Sequence, residues 1–283
     1  MTFSIVARAG TAHGVAVASK FLAVGAAVPA AEAQVGALAT QSYANLAYRP
    51  QGLALLRTGV DAAGVVAALT AADPDPASRQ VGVVGATGDG ATFTGDGCHP
   101  WAGGLAGDGW AVQGNILTGE AVVTAMRDAW LAGGAATSLA HRLLAALAAG
   151  DRAGGDRRGR QSAAVLVVDR GQGYGGTSDV VVDLRVDDHP QPVTELGRLL
   201  DVHALLFGKP DPAALQELTG ALAGEVAGLL ATRGYPAGDG SPAALDAALA
   251  SWAGVENLEE RIVAGKIDPL VLDHLRTGPR GPE

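Results

Sequence analysis

The chain opens on a period of two. In Phe3-Ser4-Ile5-Val6-Ala7-Arg8 and again in Val15-Ala16-Val17-Ala18-Ser19, small and branched apolar residues dominate; the stretch from Ala9 to Gly14 separates them. The pattern predicts two strands joined in a hairpin. Residues 34–41 read as another strand, followed by a loop marked by Tyr43, Asn45 and Pro50. Helices are predicted over 50–58 and 61–71, the second capped by Asp61. Residues 79–85 and 91–94 read as a second hairpin turning at Gly88-Asp89-Gly90. A glycine-rich stretch, 95–109, leads to a strand at 110–114. Helices follow at 119–132 and 137–149, a polar segment at 150–160, strands at 162–169 and 179–186, and a helix at 191–204.

Hairpins adjoin one another and helices come in pairs. That order suits an antiparallel α+β layered protein better than a parallel βαβ sheet. Two sheets between two helical layers, a four-layer αββα sandwich, is the expected architecture. A boundary is placed at residues 207–212, giving domains 1–208 and 209–283. The second reads as a small all-α domain with helices at 213–233, 242–253 and 256–276, the last broken near Gly265. The tail 277–283 reads as frayed.

Composition narrows the function classes. Hydrophobic residues make up 48% of 283, enough for a sizeable core, and the net charge of −9 argues against a nucleic-acid partner. The lone Cys98 excludes an internal disulfide framework, and six dispersed histidines offer no metal-ligand spacing, so neither metal nor cofactor is expected. No run is long and apolar enough to span a membrane. Residues 21–31, with Lys20 before them and Ala31-Glu32-Ala33 after, also fit a secretory signal. Cleavage there would remove the opening hairpin, and a cytoplasmic protein is the expectation.

The candidate chemistry begins at Met1-Thr2. Removal of Met1 would leave one residue with both an α-amine of pKa near 8 and a β-hydroxyl, a nucleophile with its own base. An ordinary strand start is the plain alternative. Lys20, directly after the second strand, would stabilise developing negative charge if its ammonium were buried beside Thr2; a solvated turn lysine is the alternative. Gln41-Ser42-Tyr43-Ala44-Asn45 and Gln113-Gly114-Asn115 end strands, where backbone N–H groups and the amides of Gln41, Asn45 and Asn115 would bind an oxyanion or merely tie loops. In the 155–161 segment, Arg157 or Arg160 would clamp a carboxylate, and Asp156 would orient the Thr2 amine or pair with an arginine. Cys98 beside His99 reads as a buried inert thiol, because sequence neighbours in a strand point oppositely.

Five collinear segments carry a family resemblance: residues 1–8, 17–25, 39–45, 112–117 and 154–162. Over 1–208 the chain resembles domain of unknown function family 1028, placed among the N-terminal nucleophile hydrolases. Gly234-Tyr235-Pro236 and Glu256-Asn257-Leu258-Glu259-Glu260-Arg261 resemble a peptidoglycan-binding-like domain attached to some members. The resemblance implies an amidohydrolase: Thr2 attacks a small amide or peptide-like carbonyl, Lys20 and Asn115 support the charge, and Gln41, Ser42, Asn45, Gln113, Asp156, Arg157 and Arg160 surround the substrate. It also implies that 21–31 belongs to the fold, and that self-association is compatible with it. A non-catalytic binder of cell-wall fragments on the same fold is the alternative.

Overall fold

The computed structural model describes residues 2–134 and 137–278. Met1 and most of the tail expected to fray lie outside them. Contacts divide the chain into two compact units, meeting between Leu200 and Asp201.

The first unit begins with the hairpin of β1 (Thr2–Ala9) and β2 (Ala12–Ser19). The apolar run after it folds as α1 (Val24–Ala27) and β3 (Pro29–Glu32), with Val24 and Val28 buried. Then come β4 (Gly36–Ser42), α2 (Tyr48–Arg57) and α3 (Ala62–Ala72). The side chain of Asp61 caps α3 by accepting from Gly64 N–H at 2.7 Å, as its position predicts. Next are β5 (Arg79–Gly85), β6 (Ala91–Thr94), β7 (Gly103–Gly107) and β8 (Trp110–Asn115), then α4 (Ala121–Ala132) and α5 (Leu139–Arg152). β9 (Ser162–Val168), β10 (Val180–Val186) and α6 (Pro192–Phe207) complete the order.

The strands form two sheets, β10-β9-β2-β1-β8-β7 and β3-β4-β5-β6, every pairing antiparallel. Alternation along β1 explains the layering. Phe3, Ile5 and Ala7 pack on Met126, Leu143 and Leu147 of α4 and α5. Val6 faces the other way, into a core shared with Val15, Val17, Ala37, Ala39 and Val84 between the sheets. The four-stranded sheet packs its outer face on α2 and α3 through Leu38, Val81, Val83, Leu56, Val65 and Leu69. The first unit is thus the expected α+β sandwich, layered αββα.

The second unit holds β11 (Gln216–Glu217), α7 (Gly220–Ala231), α8 (Pro242–Val255), β12 (Lys266–Ile267) and α9 (Pro269–Thr277), around Leu230, Leu249, Trp252 and Val271. It is not purely helical. Gly265 turns at φ 72°, and β12 with α9 stands where one helix was predicted over 256–276, while β11, its antiparallel partner, takes the start of the helix predicted over 213–233. The division by contacts falls inside α6, which runs on to Phe207. Among the described residues no helix is long and apolar enough to cross a membrane.

Candidate functional site

β1 is a central strand of the six-stranded sheet, between β2 and β8, and Thr2 is its first residue. Since Val6 faces the second sheet, so do Thr2 and Ser4. Thr2 is buried, its Oγ1 is 3.1 Å from Ser19 Oγ, and its register partner on β8 is Asn115.

Side-chain amides fill this end of the inter-sheet space. Gln113 Nε2 donates to Ser4 Oγ at 2.6 Å, and Ser4 Oγ donates to Gln41 Oε1 at 2.7 Å. Gln41 Nε2 donates to Gln80 Oε1 at 2.8 Å and to the Thr2 carbonyl at 3.3 Å. Asn115 Nδ2 donates to the same Gln80 Oε1, also at 2.8 Å. Gln41, Gln80, Gln113 and Asn115 are all buried. Buried polar groups are expensive unless paired, so the chain of bonds fixes how these amides lie. Gly82 makes room for it: a Cβ there would lie 2.0 Å from Gln113 Oε1.

Asn115 also lines an open cleft of about 260 Å³ with Ser42, Tyr43, His99, Ile116 and Arg158. Ser42 and Ile116, at the ends of β4 and β8, hold φ of 72° and 48°. Such backbone costs on the order of 1–3 kcal/mol per residue and gathers at functional sites. The Tyr43 hydroxyl and His99 Nε2 are hydrogen-bonded at 3.3 Å on the cleft wall. The wall itself is anchored from beneath. Asp73, buried, pairs with Arg79 at 3.0 Å and accepts from Asn45 Nδ2 at 2.8 Å, while Arg79 donates to the Tyr43 carbonyl. The Arg79 guanidinium, above all, holds the Asp73 carboxyl well below the usual carboxylate range.

The sequence candidates therefore separate. Thr2 and Asn115 are register partners, and Asn115 lines the cleft together with Ser42. Gln41 and Gln113 are buried in the network and neither lines the cleft; Gln113 donates to Ser4 through Nε2, while its Oε1 has no hydrogen-bond partner among the described residues. Asn45 ties its loop to Asp73. The buried ammonium expected beside Thr2 is not found: Lys20 is exposed, because the strand ends at Ser19, and its backbone N–H donates to Asp156 Oδ2 at 2.8 Å. Asp156 is buried and pairs with Arg158 at 3.1 Å, the second of the two roles open to it. Arg157 donates to the Pro100 carbonyl, and Arg160 pairs with Asp151 at 2.7 Å, so neither lines the cleft. Arg158 does. Buried Cys98 donates to Ser42 Oγ at 3.4 Å. Ser19, Gln80, His99 and Arg158 are additions that the sequence did not single out. Strand alternation from Thr2 and Asn115 was the one signal that pointed toward Ser19.

A family model described as "Family of unknown function (DUF1028)" matches residues 2–196, and a model described as "Putative peptidoglycan binding domain" matches residues 206–275. The chain is similar to a crystal structure of a Silicibacter pomeroyi protein described under the same first model. The two are 29% identical with a TM-score of 0.64, over 79% of this chain and 92% of that one. No curated protein matches.

Proposed function

The chain belongs to the DUF1028 family of unknown function, and from its geometry we propose that it is an amide hydrolase of the N-terminal nucleophile kind, with Thr2 Oγ1 as nucleophile. One observation carries the reading: Thr2 heads a central strand with its hydroxyl toward the second sheet, opposite the asparagine that lines the cleft. A nucleophile set at the first residue of a core strand is held as firmly as the sheet itself.

Hydrolysis of the Met1–Thr2 bond frees the α-amine. That amine takes the hydroxyl proton as Oγ1 adds to the substrate carbonyl carbon. The carbonyl oxygen becomes negative, and Asn115 Nδ2 donates to it. Collapse breaks the C–N bond, and the Thr2 ammonium returns the proton to the leaving nitrogen. Water, deprotonated by the same amine, then hydrolyses the Thr2 ester and releases the acid. Arg158 stands on the cleft wall with its guanidinium paired to Asp156. Lys20, exposed, has no part in it.

The test is turnover on small amides, with Met1 removal verified by mass. Thr2→Ala should lose turnover while keeping its circular dichroism and melting; Thr2→Ser should keep part of it. A fully active Thr2→Ala protein overturns the mechanism.

A second reading concerns residues 206–275, whose family match supports binding of cell-wall fragments. Co-sedimentation of the full chain with insoluble peptidoglycan tests it: the protein pellets if the reading holds and stays in the supernatant if it fails.

A further inference from the structure

Gln80 sits on β5, in the sheet opposite Thr2, and its amide is committed on both ends. Its Nε2 donates to the Gly114 carbonyl at 2.7 Å and to Thr94 Oγ1 at 2.9 Å. A backbone carbonyl only accepts, so this nitrogen cannot exchange places with the oxygen. The oxygen is therefore the other end of the amide, where it accepts from Asn115 Nδ2 of β8 and from Gln41 Nε2 of β4, each at 2.8 Å. The acceptor at Gln80 fixes in turn which end of the Asn115 amide is nitrogen, and leaves its second N–H for a ligand oxygen. A residue 35 positions away in sequence thus sets the donor end of the group that lines the cleft.

We propose that Gln80 is the positioning residue of the site: it does not touch substrate, but holds Asn115 Nδ2 as a donor to the oxyanion formed when Thr2 attacks. The inference rests on the amide-hydrolase reading. The register between sheets serves the chemistry here, because Thr2 and Asn115 belong to one sheet and the group that orients Asn115 belongs to the other.

The experiment uses the full chain, shown by mass to lack Met1, and a β-lactone as probe. Thr2 Oγ1 adds to the lactone carbonyl, the ring C–O bond breaks, and the ring oxygen leaves as a hydroxyl, so the mass rises by one whole lactone through an oxyanion. The rate of that rise is followed in wild type, Asn115→Ala, Gln80→Met and the double variant. Loss of an oxyanion donor should slow Asn115→Ala about 10²-fold. Gln80→Met, similar in shape but without the acceptor, should slow labelling roughly 10-fold or more through misplacement of Asn115. The double variant should be no slower than Asn115→Ala alone, because the second residue acts through the first. Gln80→Glu should restore much of the rate when its carboxyl is protonated, since that form offers the same donor to Gly114 and the same acceptor to Asn115. It should lose the rate as pH rises, a change that wild type does not share. The Gln80→Glu profile decides the matter if Gln80→Met fails to fold. Wild-type speed in Gln80→Met, full additivity in the double variant, or a Gln80→Glu profile parallel to wild type would overturn the positioning role while leaving Thr2 as nucleophile. Absence of any Thr2 adduct in wild type would overturn both.

Discussion

Thr2 and Asn115 are register partners across β1 and β8, and of the two it is Asn115 that lines the cleft. The pairing sets the proposed nucleophile and the proposed oxyanion donor on the same face of the same sheet, fixed by backbone hydrogen bonds rather than by loops. Asn115→Asp should therefore be as damaging to Thr2 reactivity as Asn115→Ala, because a carboxylate offers acceptors where a donor is needed. Adduct formation by intact mass reads this out. Equal rates in Asn115→Asp and wild type would remove Asn115 from the mechanism.

Gly82 lies beneath Gln113, and a methyl group there would meet the Gln113 amide head-on. Gly82→Ala should cost about 1–3 kcal/mol of stability, the usual range for overpacking a filled core. Urea unfolding of the two proteins measures it. The accompanying displacement of Gln113 should also slow Thr2 labelling, since Gln113 connects through Ser4 to Gln41 and Gln80.

Asp73 and Arg79 hold the loop that carries Tyr43 and Asn45. Removing one partner of so buried a pair should cost roughly 3 kcal/mol, and Asp73→Ala is the variant to make. Because the folded-state carboxyl is held below its ordinary range, chiefly by Arg79, its contribution is present above about pH 4 and lost as pH falls further. Chemical denaturation from pH 6 down to pH 3 should show a shallower loss in Asp73→Ala than in wild type.

How much of this was legible in sequence depends on how local each signal is. The opening hairpin, the Asp61 cap and the helix pairs announce themselves within a few residues, and they stand where the pattern puts them. β7 does not: Gly103-Gly104-Leu105-Ala106-Gly107 has little strand propensity and is made a strand by pairing with β8. α1 and β3 hide in an apolar run that reads equally as a signal segment. The ribbon of β11 and β12 is two residues a side, too short for any period to show. In the site, Thr2 and Asn115 could be picked out because each ends or begins a strand. Gln80 could not, since a glutamine alternating with valines looks like any solvent-facing position until the second sheet is laid over it. Arg158 shares its turn with Arg157 and Arg160, and only the Asp156 pairing decides which of the three lines the cleft.

His13 is buried near the hairpin turn, at the end of β2 away from Ser19. Burial, the largest cause, lowers its pKa, with Arg8 pushing the same way and the backbone at Gly85, together with Asp169, pulling against them. A base whose folded-state pKa is lowered favours the fold while neutral. Stability should fall as pH drops below about 6.5 towards the lowered value, because the unfolded chain takes up the proton first. His13→Gln should flatten the wild-type slope between pH 7 and pH 5 in denaturation midpoints. An unchanged slope would place the titration elsewhere.

The whole account turns on a free Thr2 amine. Intact mass of the protein purified from its native host reports it directly. The account predicts a mass short by one methionine, leaving Thr2 as the first residue. Protein that retains Met1 throughout would have no amine to accept the hydroxyl proton, and the proposed mechanism would be wrong.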